Sequence, residues 1–227
     1  LIAALTLFFR VDTVVITGEK RYTEAEIREV SGVKDGDNLF LLNKYQVIRN
    51  IAEALPYVEL EETRVQRKLP DTLLIEIKEC GDPLAWAQDG TVWLVSPGGK
   101  IVEQRNTVGD YPTIDGCRLL APSVGTLIAL DTENDTRRQS LLELLAALEA
   151  ADKLGEVDAI HIGNAAYLTM DYMGRFSVEL NYDADFAYKL RTLDAILASG
   201  KIQENMTGTF NMRGEDGKTN FIQNSVK

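Results

Sequence analysis

Histidine and cysteine are scarce in this chain: its 227 residues include one histidine, His161, and two cysteines, Cys80 and Cys117. A three-histidine zinc site is therefore excluded, and these scattered positions match no usual spacing of zinc ligands. The sequence predicts neither a metal site nor a cofactor. Outside the cytoplasm the two cysteines could form a disulfide, but two separate thiols are the favoured interpretation because the positions lie far apart in the sequence.

Long basic stretches are also missing. No run of lysine or arginine exceeds two residues, and 35 acidic against 24 basic residues give a formal net charge of −11. An acidic surface repels phosphate groups, which argues against a nucleic acid as a partner. Hydrophobic residues make up 45% of the chain, enough for a buried core in one large domain or two small ones.

No convincing catalytic set is present. His161 lies between two isoleucines in a predicted strand, which favours a structural or surface role over that of a catalytic base. The glycine-rich segment 96–100 lacks the spacing of a phosphate-binding loop and is better interpreted as a hairpin turn. Glu59, Glu61 and Glu62 are more typical of a solvated face than of an acid/base pair. We therefore predict that the chain is not an enzyme and has no small-molecule substrate.

The first nine residues, Leu1–Phe9, carry no charge. A membrane-spanning helix needs about 20 such residues, so nine are too few to cross a bilayer. We expect this segment to be the end of a truncated membrane helix. A buried strand and the core of a signal peptide are the alternatives, although no small-x-small cleavage site precedes Arg10.

The segment from Val11 to Glu79 predicts the order strand, helix, helix, strand, strand. Thr23 and Glu26 form a capping-box pattern for the first helix, and Asn43 is suited to cap the second. An apolar residue recurs every four positions in that second helix, which ends before Pro56. We expect strands at 11–17, at 57–66 and from Leu73 onwards, with a turn at 69–71.

After Gly81-Asp82-Pro83 the sequence changes to short strands and turn residues, which indicates a domain boundary. Segment 103–135 is rich in glycine and proline, and we place no elements there. Elsewhere we expect a hairpin of 91–95 and 100–102, a helix at 136–154, strands at 157–162, 167–172 and 175–181, a helix from Asp183 to Gly200, and a final hairpin of 208–213 and 218–222.

The segment from Val11 to Glu79 resembles a POTRA domain. The motif with the most specific offsets combines an arginine, a turn proline and a strand. The motifs that carry the resemblance are Val14-x-Ile16-x-Gly18, Gly36-x-Asn38-Leu39-Phe40, Leu55-Pro56-Tyr57-Val58 and Val65-x-Arg67-x-x-Pro70-x-Thr72-Leu73.

The following sequence is similar to the second, β-rich domain of FtsQ/DivIB proteins, so the resemblance covers 10–222. Its motifs are Glu76-x-Lys78-Glu79-x-x-x-Pro83-x-Ala85-Trp86, Val92-x-Leu94-Val95-x-Pro97-x-Gly99-Lys100-Ile101, Lys189-Leu190-x-x-Leu193-x-x-Ile196-Leu197 and Thr209-Phe210-Asn211-Met212-Arg213. The family usually has Asp where Asn211 stands and often Tyr near Gly214, which weakens the case for a tyrosine-based partner contact.

The resemblance implies an α+β fold. A POTRA domain of β-α-α-β-β order at 10–79 would be followed by a larger, mostly antiparallel β domain with two or more helices at 80–222. The end of a membrane helix would precede them at 1–9, and a C-terminal tail would follow at 223–227.

The resemblance also implies a non-enzymatic scaffold of bacterial cell division that helps regulate septal peptidoglycan synthesis. It would be a single-pass protein of the cell membrane, with this region extracytoplasmic and at the division septum. Its partners would be FtsB/DivIC-like and FtsL-like proteins, bound by β-strand addition at the final hairpin. The candidate partner-binding residues are Thr209, Phe210, Asn211, Met212, Arg213, Phe221, Tyr188 and Arg191.

Alternatives remain both for the candidate residues and for the function of the whole chain. Phe210, Met212 and Phe221 could be core residues of the hairpin, and Tyr188 and Arg191 could be plainly exposed. For the whole chain, the alternative is a POTRA-containing chaperone or assembly factor of protein secretion or outer-membrane biogenesis. That class usually places several POTRA units before a long transmembrane barrel, whereas one unit is present here.

Overall fold

The structure, a computed structural model, describes residues 8–18, 20–131, 135–214 and 219–224. The chain divides into two compact units, Leu1–Cys80 and Gly81–Lys227, called here the N-terminal unit and the C-terminal unit. Most of the predicted membrane segment, residues 1–7, lies outside the described residues. Among those that are described, no helix combines the length and the apolar character needed to cross a membrane.

The N-terminal unit is a three-stranded sheet with two helices. Its central strand is β3, which pairs in parallel with β1 and antiparallel with β2. The observed β-α-α-β-β order confirms the prediction. The elements are β1 (Thr13–Thr17), α1 (Glu24–Ser31), α2 (Lys44–Ala54), β2 (Arg64–Lys68) and β3 (Thr72–Glu76).

Both helices of this unit begin at the predicted caps. The Thr23 side chain accepts a hydrogen bond from the Glu26 amide, and the Glu26 carboxylate accepts one from the Thr23 amide, which completes the capping box. The Asn43 side chain accepts from the first amides of α2. The apolar sides of the helices meet the sheet in a core of Ile27, Leu39, Ile51, Leu73 and Ile75, all fully buried.

The strand predicted at 57–66 is correct only in its last three residues: β2 covers Arg64–Lys68, and 57–63 lies outside it. The Val58 amide donates to the Leu55 carbonyl, and the Thr63 amide donates to the Glu59 carbonyl. These short-range bonds close turns on both sides of Val58, which forms only an isolated bridge with Glu79, so no strand runs from Tyr57 to Thr63. The slip in apolar alternation near Glu61 was the sequence signal for this.

The C-terminal unit contains a nine-stranded sheet of order β12-β11-β10-β9-β8-β7-β4-β5-β6. Most neighbouring strands are antiparallel, as predicted, while β4–β7, β7–β8 and β10–β11 are parallel. Its strands are β4 (Leu84–Gln88), β5 (Thr91–Val95), β6 (Ile101–Arg105), β7 (Thr113–Asp115), β8 (Val157–His161), β9 (Tyr167–Tyr172), β10 (Phe176–Asn181), β11 (Gly208–Asn211) and β12 (Asn220–Gln223). Its helices are α3 (Thr136–Ala150), α4 (Phe186–Ala198) and a 3₁₀ turn, Leu154–Glu156.

The two helices explain two of the parallel pairs. Helix α3 connects β7 to β8, and α4 connects β10 to β11. A helical crossover returns the chain to the same end of the sheet, so the second strand runs parallel to the first. Sequence reasoning missed β4 and β7, extended α3 four residues too far, and did not foresee that β11 pairs with β10.

The core of this unit lies between the sheet and the two helices. Alternate residues of β9, β10 and β11 are buried, and the intervening residues form an open, more polar face. The helix side of the core comprises Leu141, Leu144, Leu145, Leu148, Phe186, Leu190 and Leu193.

Candidate functional site

The last strand, β12, is an edge strand of the nine-stranded sheet. It pairs with β11 on one side, and no described strand lies beyond it on the other. Strand β11 is instead an interior strand, paired with both β10 and β12. The exposed edge predicted for the final hairpin is therefore confined to β12. Residues 215–218, between the two strands of the predicted hairpin and at the start of the second, lie outside the described residues.

The register shows which backbone groups of β12 point outward. The Asn224 amide donates to the Thr207 carbonyl at 2.9 Å, and Ile222 lies opposite Thr209 in the same register. Because hydrogen-bonded and non-bonded pairs alternate in an antiparallel ladder, Ile222 also bonds to β11. The amides and carbonyls of Phe221 and Gln223 then point away from β11.

Bonds on the other side of β11 agree with this assignment. The Gly208 amide donates to the Arg175 carbonyl at 3.3 Å, and the Met212 amide to the Glu179 carbonyl at 3.0 Å. Even-numbered residues of β11 therefore bond to β10, which leaves Thr209 and Asn211 to bond to β12. The outer rim of β12 is thus a ready template for another strand.

Side chains on β12 differ sharply between its two faces. Ile222 is 61% exposed, opposite Thr209. Phe221 faces the core, where its ring lies 4.7 Å from the ring of Phe210 and 6.1 Å from that of Phe176. The edge therefore presents one exposed apolar side chain and one aromatic side chain that closes the end of the core.

Two of the proposed anchors are not available at the surface. Phe210 is fully buried and Met212 is 1% exposed, because both point into the core on the helix-covered side of β11. The core alternative holds for these two residues, and their assignment as surface anchors is wrong. Sequence reasoning detected their alternation but could not tell that β11 is an interior strand.

The remaining β11 candidates lie toward the open face of the sheet. Thr209 and Asn211 alternate with the buried residues. The Arg213 Nε atom lies 3.2 Å from a Glu179 carboxylate oxygen, and the guanidinium lies 4.5 Å from the centre of the Tyr167 ring. These contacts hold an arginine over the polar face close to the sheet edge.

A shallow depression of about 220 Å³ lies where α4 begins and β11 ends. The Lys189 ammonium donates to the Gly214 carbonyl at 2.7 Å, and the Asn181 side chain to the Arg213 carbonyl at 2.8 Å. Both bonds fix the chain after β11. Tyr188 lines the depression and is 45% exposed, whereas Arg191 is exposed on α4 outside it.

The sole histidine has partners that sequence reasoning missed. On the open face, Nδ1 of His161 lies 3.0 Å from both Asp115 carboxylate oxygens, and Nε2 lies 3.1 Å from an Asp171 oxygen. Burial opposes the charged ring, but hydrogen bonds to the two carboxylates outweigh it and raise the pKa of His161. Each ring nitrogen faces a carboxylate, so the charged ring can donate a hydrogen bond to both aspartates.

Replacing His161 by glutamine is expected to remove a pH-dependent part of the stability of this unit. A raised pKa means that the charged ring stabilises the fold fully below the ordinary value of 6.5 and loses this effect as pH rises through the folded-state pKa. The free energy of unfolding, measured in urea by tryptophan fluorescence, should therefore fall above pH 6.5 in the parent chain. It should fall less steeply in His161→Gln. Equal slopes in the two proteins would refute this. The readout is specific because Trp86 and Trp93, the two tryptophans, both lie in the C-terminal unit.

Metal ligation has no support within the described ranges. There, no group of three or more His, Cys, Asp or Glu side chains is arranged to hold an ion. Cys80 and Cys117 are not joined by a disulfide. The candidate partner-binding residues that stay exposed lie on β12 and on the neighbouring residues of β11 and α4.

Comparisons with known proteins agree on one family. The profile described as "POTRA domain, FtsQ-type" matches residues 9–79. The cell division protein DivIB of Clostridium botulinum is 22% identical over 218 residues, which cover 95% of this chain and 83% of that protein. The cell division protein FtsQ of Geotalea daltonii is 32% identical over 183 residues, covering 74% of this chain and 60% of that protein.

Among solved structures, the major extracytoplasmic domain of DivIB from Geobacillus stearothermophilus aligns with 56% of this chain and 99% of that domain. The sequence identity is 17% and the TM-score 0.33. The assignment rests instead on the profile match and the curated relatives. By these two lines of evidence, the chain carries an FtsQ-type POTRA domain and is similar along most of its length to DivIB and FtsQ cell-division proteins.

Proposed function

We propose that this chain is a scaffold of the division machinery that binds FtsB/DivIC-like and FtsL-like proteins by strand addition at β12. It would have no enzymatic activity and would help regulate septal peptidoglycan synthesis. A membrane helix ending near residue 9 would hold it in the cell membrane at the septum, with the domains at 10–79 and 80–222 outside the cytoplasm.

The observation that carries this proposal is the outward-facing backbone of β12. Phe221 and Gln223 each direct an amide and a carbonyl away from β11, and no described strand lies beyond them. An incoming extended segment would satisfy these groups in the way that one strand of a sheet satisfies the next. The side chains of β12 would then select among the possible segments.

Residues next to the rim would supply that selectivity. On the open face, Ile222 offers an exposed apolar contact, with Thr209 opposite it and Asn211 two residues along β11. On the core face, Phe221 would gain cover from an apolar side chain of the partner. A segment with alternating apolar and polar residues fits both faces.

Helix α4 and the chain after β11 would engage a second part of the partner. Tyr188 has an exposed side chain and lines the depression beside Arg213. Arg191 and Arg213 are positive groups on a chain with a net charge of −11. They favour acidic side chains in the partner near this end of the sheet.

A proline at position 223 tests strand addition directly. Gln223→Pro removes an outward amide and places a ring against the incoming strand, while the bond from Ile222 to β11 is kept. We expect at least about a tenfold loss of affinity for the FtsB/DivIC-like protein encoded by the same genome, in line with a lost hydrogen bond plus a steric clash. Biolayer interferometry with the immobilised partner provides the measurement.

Gln223→Ala is the matched control, because it changes the same side chain and keeps the amide. It should bind like the parent chain, and both variants should unfold in urea at the parent concentration. Strand addition is ruled out if Gln223→Pro and Gln223→Ala bind equally well. As a second check, Ile222→Ser should weaken binding without changing stability.

A further inference from the structure

One end of the N-terminal unit exposes a group of apolar side chains that take no part in its core. These five residues, defined here as the N-terminal face, are 44% to 78% exposed. They include five of the six large hydrophobic residues that are exposed among the described residues of this unit. The N-terminal face consists of Phe8, Phe40, Leu41, Tyr45 and Leu69.

Backbone hydrogen bonds bring Phe8 close to Phe40 and Leu41, which lie more than 30 residues later in the sequence. The Leu39 amide donates to the Phe9 carbonyl at 2.9 Å, and the Val11 amide to the Asp37 carbonyl at 2.8 Å. The segment that contains Phe8 therefore runs beside the loop that carries Phe40 and Leu41. The rings of Phe9 and Phe40 meet edge to face with their centres 5.0 Å apart.

The turn between β2 and β3 lies at the same end. Thr13, the first residue of β1, is level with Thr72, the first residue of β3. The Asp12 amide also donates to the Asp71 carbonyl at 2.9 Å. Leu69 in this turn is therefore a neighbour of the chain segment that enters β1.

Arg67 holds the exposed loop in place. Its guanidinium donates to the Leu42 carbonyl at 3.0 Å and lies 6.0 Å from the centre of the Phe40 ring. Asn38 accepts bonds from the amides of Phe40 and Leu41 through its side chain. The loop is thus fixed in a conformation that turns Leu41, 78% exposed, away from the protein.

Charges around the N-terminal face nearly balance, unlike those of the chain as a whole. Arg10 and Lys68 are exposed there and Lys44 is half-buried, while Asp12, Asp37 and Asp71 are the acidic residues closest in sequence to the face. A surface with a net charge of −11 would be repelled by lipid phosphates, but this end is not strongly acidic. Long basic side chains beside apolar ones can reach phosphate groups while their stems stay among apolar atoms.

We propose that the N-terminal face rests on the surface of a phospholipid bilayer. The uncharged run Leu1–Phe9 leads into this face through Phe8 and Phe9. Aromatic and leucine side chains bordered by lysine and arginine match the composition found where proteins meet the interface between lipid and water. The contact holds the N-terminal unit against the membrane by its own folded surface, independently of partner capture at β12.

Position-specific fluorescence tests this contact. In a chain with Cys80 and Cys117 replaced by serine, Leu41→Cys and Leu127→Cys each receive an environment-sensitive nitrobenzoxadiazole label. Leu127 is an exposed leucine of the C-terminal unit, 66% exposed, and serves as the matched control. Phosphatidylcholine vesicles, some with doxyl-labelled lipid, are then added.

We expect the label at position 41 to shift to shorter wavelength and to be quenched by doxyl lipid, while the label at 127 changes little. The proposal is overturned if neither label responds or both respond equally, since the run Leu1–Phe9 alone could then explain any vesicle binding. A shift at position 41 that follows protein concentration without vesicles would instead indicate contact between copies of the chain, and would also overturn it.

Substitutions provide an unlabelled second arm. Leu41→Ser combined with Tyr45→Ser should lower the partition coefficient on these vesicles about five- to tenfold, because apolar area no longer enters the interface. Leu127→Ser should leave partitioning unchanged. Raising the salt concentration should have little effect because the local charges nearly balance. Equal partitioning of the two serine variants contradicts the proposal, and normal partner binding by both would show that the two surfaces act separately.

Discussion

Phe210→Ala is expected to lower the free energy of unfolding of the C-terminal unit by roughly 3–5 kcal/mol, the usual cost of removing a buried phenylalanine side chain. Phe210 is fully buried on an interior strand, and its ring lies 5.1 Å from that of Phe176 and 4.7 Å from that of Phe221. The substitution leaves a cavity where three aromatic rings meet. Urea unfolding followed by tryptophan fluorescence measures the loss.

Ile222→Ala is the matched control on the neighbouring strand. Ile222 is 61% exposed, so its truncation should change stability by less than about 0.5 kcal/mol. Its effect should appear in partner affinity instead. If Phe210→Ala left stability intact and abolished only partner binding, Phe210 would be a surface anchor after all, and the packing described for β11 would be incorrect.

This contrast shows what the sequence could reveal about the candidate site. The alternation of Phe210 and Met212 with polar residues is a local property, and it correctly predicted a strand with one buried face. Whether such a strand lies at an edge or in the interior depends on which strands pair with it. Here that pairing follows from the α4 crossover, which sets β11 parallel to β10 and leaves β12 as the edge strand at this end of the sheet.

Local signals predicted most of the fold for the same reason. The capping box at Thr23, the cap at Asn43 and the leucine stripe of α3 each involve residues within about one or two turns of helix. The pairing of His161 with Asp115 and Asp171 depends on strand register instead. Asp115 lies 46 residues before His161 in the sequence, and only the parallel pairing of β7 with β8 brings the two together.

Gly18→Ala is expected to destabilise the N-terminal unit by more than about 3 kcal/mol, at the upper end of single substitutions. Gly18 has φ +87°, a left-handed conformation that costs other residues roughly 1–2 kcal/mol. A Cβ atom there would also lie 2.1 Å from the Ile77 carbonyl oxygen. Because this contact is with the backbone, the clash is relieved only if the end of β1 moves away from Ile77. That movement would break the hydrogen bond from the Ile77 amide to the Thr17 carbonyl.

Gly36→Ala separates the two causes. Gly36 has nearly the same φ, +85°, but a Cβ atom there would meet nothing within 4 Å. It should therefore show only the conformational cost, roughly 1–2 kcal/mol. Hydrogen exchange of backbone amides, followed by mass spectrometry, measures the two units separately: Gly18→Ala should speed exchange across β1 and β3 far more than Gly36→Ala. Equal effects would mean that backbone conformation alone requires glycine at position 18.

Because each unit has its own buried core, exchange in β9–β11 should stay slow in Gly18→Ala, and partner capture at β12 should persist even when the N-terminal unit is loosened.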